Sequence, residues 1–435
     1  MKLKHSFVGA VLVMSCLAGY THADDHKKLG ARVQPYVLPY DVINFTDNVS
    51  YNTTFHFSTG IGSGAYHFPG DRRNILYTSS DRGPNIKCSD SAKVIGAEVC
   101  AKGKIFPSPL FTPSIFKFEY SPRKGFQLVD TIKLKDASGK VINGLPNPLV
   151  ITDTELAFDK QGKPLEFDPN GVDTEALLKL SDGSFWLADE YAPSLLHVSP
   201  SGEVLQRVVP VGIVNDLAGA DYPVTGVLPE ILRKRKLNRG IESVAVSPDE
   251  QYLYFMLQSP LANPDGAAYK KSRNIRVFKM ERMALNVVGE WVYRLDLPET
   301  FIADPGKKQK NVKVSEMVAI DMDTLVVLER ISKTTKLYRI ELSDEYNILN
   351  SRWDKISTSP SLEQISDLAL ANITPLKKEL ILDSAIDYPG VFPSKVEGIG
   401  LMDEHTLILV NDNDFGIKGT TTKFVRLRLR GDLFD

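Results

Sequence analysis

The chain has 435 residues, 43% of them hydrophobic and 24% charged, with a formal net charge of −2. That is enough material for one large or two ordinary domains with a real core. The near-balanced charge excludes global steering toward nucleic acid or an anionic membrane, so any basic site must be local.

In chain order, residues 1–23 come first. Lys2 and Lys4 precede an apolar stretch over 7–17, and Thr21-His22-Ala23 suits cleavage before Asp24. This predicts a signal peptide and a secreted or periplasmic mature chain of residues 24–435. The alternative is a lipoprotein acylated at Cys16, which Val13-Met14-Ser15 approaches poorly. No later segment reaches the roughly 20 apolar residues of a spanning helix, so no membrane span is expected.

A strand-like run follows over 33–45. Then come four further strand-like runs, GAYHF, NILYTSSD, SIFKFEY and FQLVDTIKL, between residues 64 and 134. Cys88 and Cys100 lie in the polar loop among them. In an oxidising compartment they would pair, closing a loop worth about 3 kcal/mol in the chain-entropy model; the alternative is two free thiols.

From residue 175 onward one pattern occurs four times. Glu175, Glu242, Glu316 and Glu397 are each followed seven residues later by an acidic turn residue, namely Asp182, Asp249, Asp323 and Glu404, and then by an apolar run ending in carboxylates or amides. Each unit reads as a hairpin, with β-rich runs flanking a short polar turn such as Ser181-Asp182-Gly183. Two more strand-like runs usually follow: 274–280 and 287–297 after Glu242, and KLYRIEL plus a run near Trp353 after Glu316. The stretch at 64–134 is a fifth unit, with Gly64 where the others carry glutamate. The prediction is an all-β chain folded as a β-propeller of five four-stranded units. The 33–45 run would supply the strand missing from the last unit, KFVRLRLRG, and close the ring. Segments 149–167 and 362–382 leave room for a sixth unit.

In an antiparallel hairpin the start of the first strand and the end of the second share one sheet edge. The four glutamates therefore converge with Asp189, Glu190, Glu329, Asp412 and Asp414 at one mouth, beside Arg82, Asn85, Asn238, Arg239, Arg330 and Lys395. Bare buried charge costs several kcal/mol per ion, so repeated carboxylates at one end point to a shared polar site. Oxygen donors without soft ligands suit calcium, and residues 168–175, including Asp173, read as an oxygen-rich loop leading into Glu175. The expected metal set is Asp173, Glu175, Asp189, Glu190, Glu316, Asp412 and Asp414. Glu242 and Glu397 are the expected catalytic carboxylates, and Arg82, Asn85, Arg239, Arg330 and Lys395 the anion-binding residues. The bland alternative is that the carboxylates only pair with these cations to pin neighbouring units together. No Ser-His-Asp set can be assembled, and Ser63 lacks the glycine spacing of a nucleophile elbow.

SDRGPN at 80–85, the stretch at 170–205, NRGIESVAVSPD at 238–249 and KVEGIGLMDEHTLILVNDNDFG at 395–416 together resemble the phytase-like, or "esterase-like activity of phytase", family. The resemblance implies an exported β-propeller with phosphoester or carboxylester hydrolase activity. The motif of histidine acid phosphatases and that of alkaline calcium-dependent propeller phytases are both missing, so their catalytic residues do not carry over. The combined reading is a calcium-dependent hydrolase of a small phosphate ester or other anionic ligand. The alternative is a non-catalytic propeller that binds a ligand or protein and holds structural calcium.

Overall fold

The computed structural model describes residues 31–39, 49–50, 54–150, 152–431 and 433. The leader, Cys16, Asp24 and residues 40–45 of the first strand-like run lie outside these. The fold is all-β and built from several mostly antiparallel sheets.

Five sheets correspond to the five units. The first runs Gly64–Tyr66, Ile75–Ser79, Ser114–Ser121 and Gly125–Lys133. The second contains Thr174–Lys179, Phe185–Asp189, Ser194–Val198 and Val204–Pro210, with Val224–Leu228 added in parallel at the outer edge. The third is Ile241–Val246, Tyr252–Leu257, Asn274–Glu281 and Val287–Arg294. The fourth is Lys313–Ala319, Thr324–Arg330, Thr335–Glu341 and Lys378–Asp383. The fifth joins Val396–Asp403, Thr406–Asn411 and Lys423–Leu429 to Ala31–Val37 from the other end of the chain, with Val33 opposite Leu427.

The inner strands read as nearly continuous apolar runs because both of their faces are covered, as in Phe185–Asp189 and Ile241–Val246. In the second sheet Leu177, Leu187 and Leu196 face Tyr77 and Ile115 of the first, while Ala176, Leu178 and Trp186 face Val244 and Phe255 of the third. Similar clusters fill the gaps between the third and fourth sheets and between the fourth and fifth. Another lies between the fifth and the first, where Val410 and Phe424 meet Leu76 and Phe118. The first strands of the five sheets adjoin one another in cyclic order. Gly64 departs from the glutamate pattern because a Cβ there would stand 2.8 Å from the Ala176 Cα of the neighbouring first strand.

Two expectations are corrected. The fourth strand of the fourth sheet is Lys378–Asp383, not a run near Trp353; that residue sits in the short 3₁₀ turn Arg352–Asp354, where its indole packs with Leu362, Leu368 and Ile373 against Val292. Neither spare segment makes a further unit like the five. Residues 362–382 contribute two 3₁₀ turns and most of that fourth strand. Within 149–167, Ala157–Phe158 and Pro164–Leu165 join Ile86–Lys87 and Lys104–Ile105 in a small mixed sheet of two-residue strands. Among the described residues no helix is long and apolar enough to cross a membrane.

Candidate functional site

The repeated glutamates are re-aimed by β-bulges. In the second, third and fifth sheets the ladder shifts between Thr174 and Ala176, between Ile241 and Ser243, and between Val396 and Gly398. Glu175, Glu242 and Glu397 are thus each the extra residue, the position whose side chain a bulge turns out of the regular alternation. All three line a cavity of about 460 Å³. In the fourth sheet the shift falls one residue earlier, between Val314 and Glu316, so Ser315 is the extra residue and Glu316 pairs regularly with Leu328. Glu316 consequently does not line the cavity. It is buried, accepts from the backbone N–H of Met317 at 3.1 Å, and has one carboxylate oxygen without a partner. Burial holds its carboxyl well above the usual range, against the backbone donors of Met317, Val244 and Ala65.

Of the other sequence-selected residues, Arg82, Asn85, Asp173, Glu190, Arg239, Lys395, Asp412 and Asp414 line the same cavity. Asp189 and Arg330 do not. Asp189 points away into the second sheet and meets Arg207 at 2.6 Å, both side chains fully buried. Arg330 is buried and pairs with Glu397, donating also to Ser315 Oγ and to its neighbour Ile331 O, each at 2.8 Å. Glu329 likewise turns away, bonded to Tyr293 and Lys378 at 2.7 Å each. Asp81, Lys104 and Lys313 line the cavity without having been selected. Asp81 sits inside the SDRGPN stretch beside Arg82, so that motif was the available signal. Lys104 and Lys313 carry none, because nothing local marks a lysine that tertiary packing brings to a distant rim.

Two sets of three acids place one carboxylate oxygen from each residue within 4.8 Å of the other two: Asp81, Asp173 and Glu175, and Glu175, Glu190 and Glu242. Burial, then Glu242 and Asp173, pushes the Glu175 carboxyl well above its usual range, and burial with Glu190 lifts Glu242 to about 8. Burial, then Asp412 and Asp173, raises Asp81 in the same way. One Glu242 oxygen is buried without a hydrogen-bond partner, as is the amide oxygen of Gln258. The donor set is oxygen only and strongly acidic, which fits a hard divalent cation such as calcium.

The cations around these acids are of two kinds. Arg82 is committed: its guanidinium is 2.9 Å from Glu155 and 3.3 Å from Asp173, and lies against the rings of Phe106 and Tyr191. Burial works against that charge, but Asp173 and Glu155 outweigh it and hold the guanidinium strongly protonated. Lys395 is held in the left-handed region, φ 58°, by its N–H on Ser332 O at 2.7 Å; its ammonium reaches Asp412 at 2.7 Å and also pairs with Asp414. Lys104 and Lys313 are less neutralised. Burial, then Arg82, brings Lys104 down to about 8, and burial, then Arg239, holds Lys313 well below the usual lysine range.

One wall of the cavity is the insertion between the second and third strands of the first sheet, which supplies Asp81, Arg82, Asn85, Lys87, Asp90 and Lys104. It is stapled by the Cys88–Cys100 disulfide, Cα–Cα 5.2 Å, over a small cluster of Ile86, Ile95 and Ile105. The paired alternative for the two cysteines therefore holds. Replacing both by serine is expected to cost about 3 kcal/mol of stability in urea unfolding, the entropy of a loop this size. A loss under about 0.5 kcal/mol would show that the isoleucine cluster alone holds the wall.

The molecule is thus an all-β protein of mostly four-stranded sheets that gather acids and cations around one cavity. The chain belongs to the phytase-like family described as "Esterase-like activity of phytase", which matches residues 63–415. It is 24% identical over 241 residues to an uncharacterized secreted protein of Arthroderma benhamiae; the match spans 48% of this chain and 46% of that protein, so the chain spans about half the length of the relative. Among solved structures it overlaps a luciferin-regenerating enzyme at 10% identity and TM-score 0.34, covering 92% of this chain and 97% of the other. It also overlaps virginiamycin B lyase of Staphylococcus aureus at 9% identity and TM-score 0.32, covering 92% and 99%. The periplasmic gluconolactonase of Pseudomonas aeruginosa overlaps at 12% identity and TM-score 0.29, covering 67% and 70%.

Proposed function

We propose that this protein is an exported, calcium-dependent hydrolase of small phosphate esters, working in the cavity at the mouth of a five-bladed β-propeller closed by its N-terminal strand. The ring is supported by the cyclic order of the first strands and by the pairing of Ala31–Val37 with Lys423–Leu429. Export is supported by the leader-like first 23 residues, by the disulfide, and by the secreted relative. The observation that carries the function is the buried, donor-free oxygen of Glu242 within a set of acids close enough to share a cation.

Glu175, Glu190 and Glu242 would hold the ion, with Asp81 and Asp173 alongside. Bound calcium would supply positive charge to neutralise a phosphoryl group and activate water. Arg239, Lys104, Lys313 and Lys395 line the same space and would draw an anionic ester into it. Glu242 and Glu397 offer carboxylates to accept a proton from attacking water. Asp412 and Asp414 hold Lys395, and Arg82 holds Asp173 and Glu155 in place. Asn85 can donate to the ester from the rim.

The second reading, a binding propeller with structural calcium, is favoured by one observation. Arg82, Arg330 and Lys395 are already paired with carboxylates and have little charge to spare for an anionic ester substrate. The two separate in one experiment. Protein starting at Asp24 is assayed on a phosphomonoester, phytate and a short-chain carboxylester, each with calcium and with chelator. Calcium-dependent phosphate release is expected. No turnover on any of the three, with a calcium-dependent rise in Tm, would reject the hydrolase in favour of the binder.

A further inference from the structure

We infer that the cavity holds two divalent cations at once, with Glu175 bridging them. The inference rests on the reading of the acids as a cation site and concerns their number and sharing. Two sets of three acids each satisfy the spacing of a common ion, and Glu175 is the one member of both. A carboxylate has two oxygens and about four lone-pair sites, so it can give one oxygen to each side.

The hydrogen bonding separates the bridging acid from the rest. Asp173 accepts from the backbone N–H of Arg82 at 3.3 Å, Asp81 from Gly83 N–H at 2.9 Å, and Glu190 from the Gln258 amide at 2.7 Å. Among the described residues no side-chain hydrogen bond or ion pair holds the Glu175 carboxylate, which lines the cavity and is only 8% exposed. The far member of the second set, Glu242, is 2% exposed and has an oxygen without a partner. A carboxylate buried as deeply as Glu242 without compensation costs several kcal/mol. A single ion on the Glu190 side would leave Asp81 and Asp173 facing Glu175 unneutralised, because Arg82 is divided between Asp173 and Glu155. The bulge between Thr174 and Ala176 makes Glu175 the extra residue and takes its side chain off the regular ladder, and Glu175 lines the cavity.

The test counts ions. Chelator-treated protein starting at Asp24 is titrated with calcium chloride by calorimetry, and calcium is measured by elemental analysis after gel filtration. Two ions per chain are expected. Asp81→Asn should retain one and Glu190→Gln should retain one, whereas Glu175→Gln should lose both, each with an unchanged circular-dichroism spectrum. One ion in the unaltered protein would overturn the bridge and leave the cation-site reading standing; none would overturn both. Loss of both ions in Asp81→Asn would also overturn the division into two sets. If a variant does not fold, terbium luminescence on the unaltered protein still decides, with two binding steps expected and one overturning the inference.

Discussion

Glu242→Gln is expected to lower calcium-dependent phosphate release at least about 100-fold, the size of effect that loss of a positioned proton acceptor produces, while the fold persists. Glutamine keeps the shape of the side chain and the bulge that carries it, so the change removes charge and little else. The carboxylate it replaces is buried, lies within 4.8 Å of the oxygens of Glu175 and Glu190, and is lifted to about 8 by burial and by Glu190. In the ion-free protein the amide removes this repulsion, so Tm without calcium should hold or rise while the calcium-induced rise shrinks. Glu316→Gln is the matched comparison, since it changes the equivalent repeat position where the bulge falls one residue earlier and the side chain misses the cavity. Its kcat should stay within about twofold of the unaltered protein, a surrounding-structure effect only. Equal turnover by Glu242→Gln and the unaltered enzyme would remove Glu242 from the mechanism.

The largest stability effect is expected at Arg207, which no reading of the sequence singled out. Its guanidinium is fully buried and donates to Asp189 at 2.6 Å, to Ser194 Oγ at 2.9 Å, to Gly171 O at 3.1 Å, to Tyr222 Oη at 3.2 Å and to Asn147 Oδ1 at 3.3 Å. Arg207→Met leaves Asp189 a buried carboxylate without its charge partner, held only by the backbone N–H groups of Tyr191 at 2.8 Å and Asp173 at 3.3 Å, and breaking a buried pair in this way costs about 3–5 kcal/mol. The double change Arg207→Met with Asp189→Leu should recover much of that loss, because a buried pair replaced by apolar groups of similar volume is often near neutral. Urea unfolding of the single and double variants measures both. The contacts to Gly171 and Asn147 also tie down the loop that presents Asp173 and Glu175, so the single variant should bind calcium more weakly in calorimetry even where it remains folded. A single variant as stable as the unaltered protein would show that the pair is dispensable to the fold.

The contrast between Asp189 and Glu190 shows where reading the sequence stops. The two are adjacent at the end of one strand, and a strand sends neighbours to opposite faces. Asp189 goes to Arg207 inside the second sheet and Glu190 goes to the cavity, where Gln258 meets it. Which of the two faces the cavity depends on the register against Thr174 and on the bulge at Glu175, and neither leaves a mark in the composition of the run. The same limit applies to Glu316, whose bulge falls one residue away from those of its three counterparts. It applies again to Lys378–Asp383, which was legible as part of a spare segment but not as the partner of Thr335–Glu341, because some 36 residues of turns intervene.

By itself the sequence determined the all-β class, a repeat of four-stranded units, the use of an N-terminal strand to complete the last sheet, and the gathering of acids at one strand edge. These follow from short-range physics: apolar runs of strand length, turn residues at regular intervals, and a repeat that places like residues at like positions. The number of units and the pairing of Cys88 with Cys100 stayed open until the structure showed them. Only the tertiary structure decided which acids face the cavity, that Asp81, Lys104 and Lys313 join them from the disulfide-stapled wall and the fourth sheet, and that Arg82 and Arg330 spend their charge on Glu155, Asp173 and Glu397. Those outcomes turn on one-residue shifts in register and on contacts between residues dozens to hundreds of positions apart, and pairing at that distance is set by the packing of whole sheets against one another.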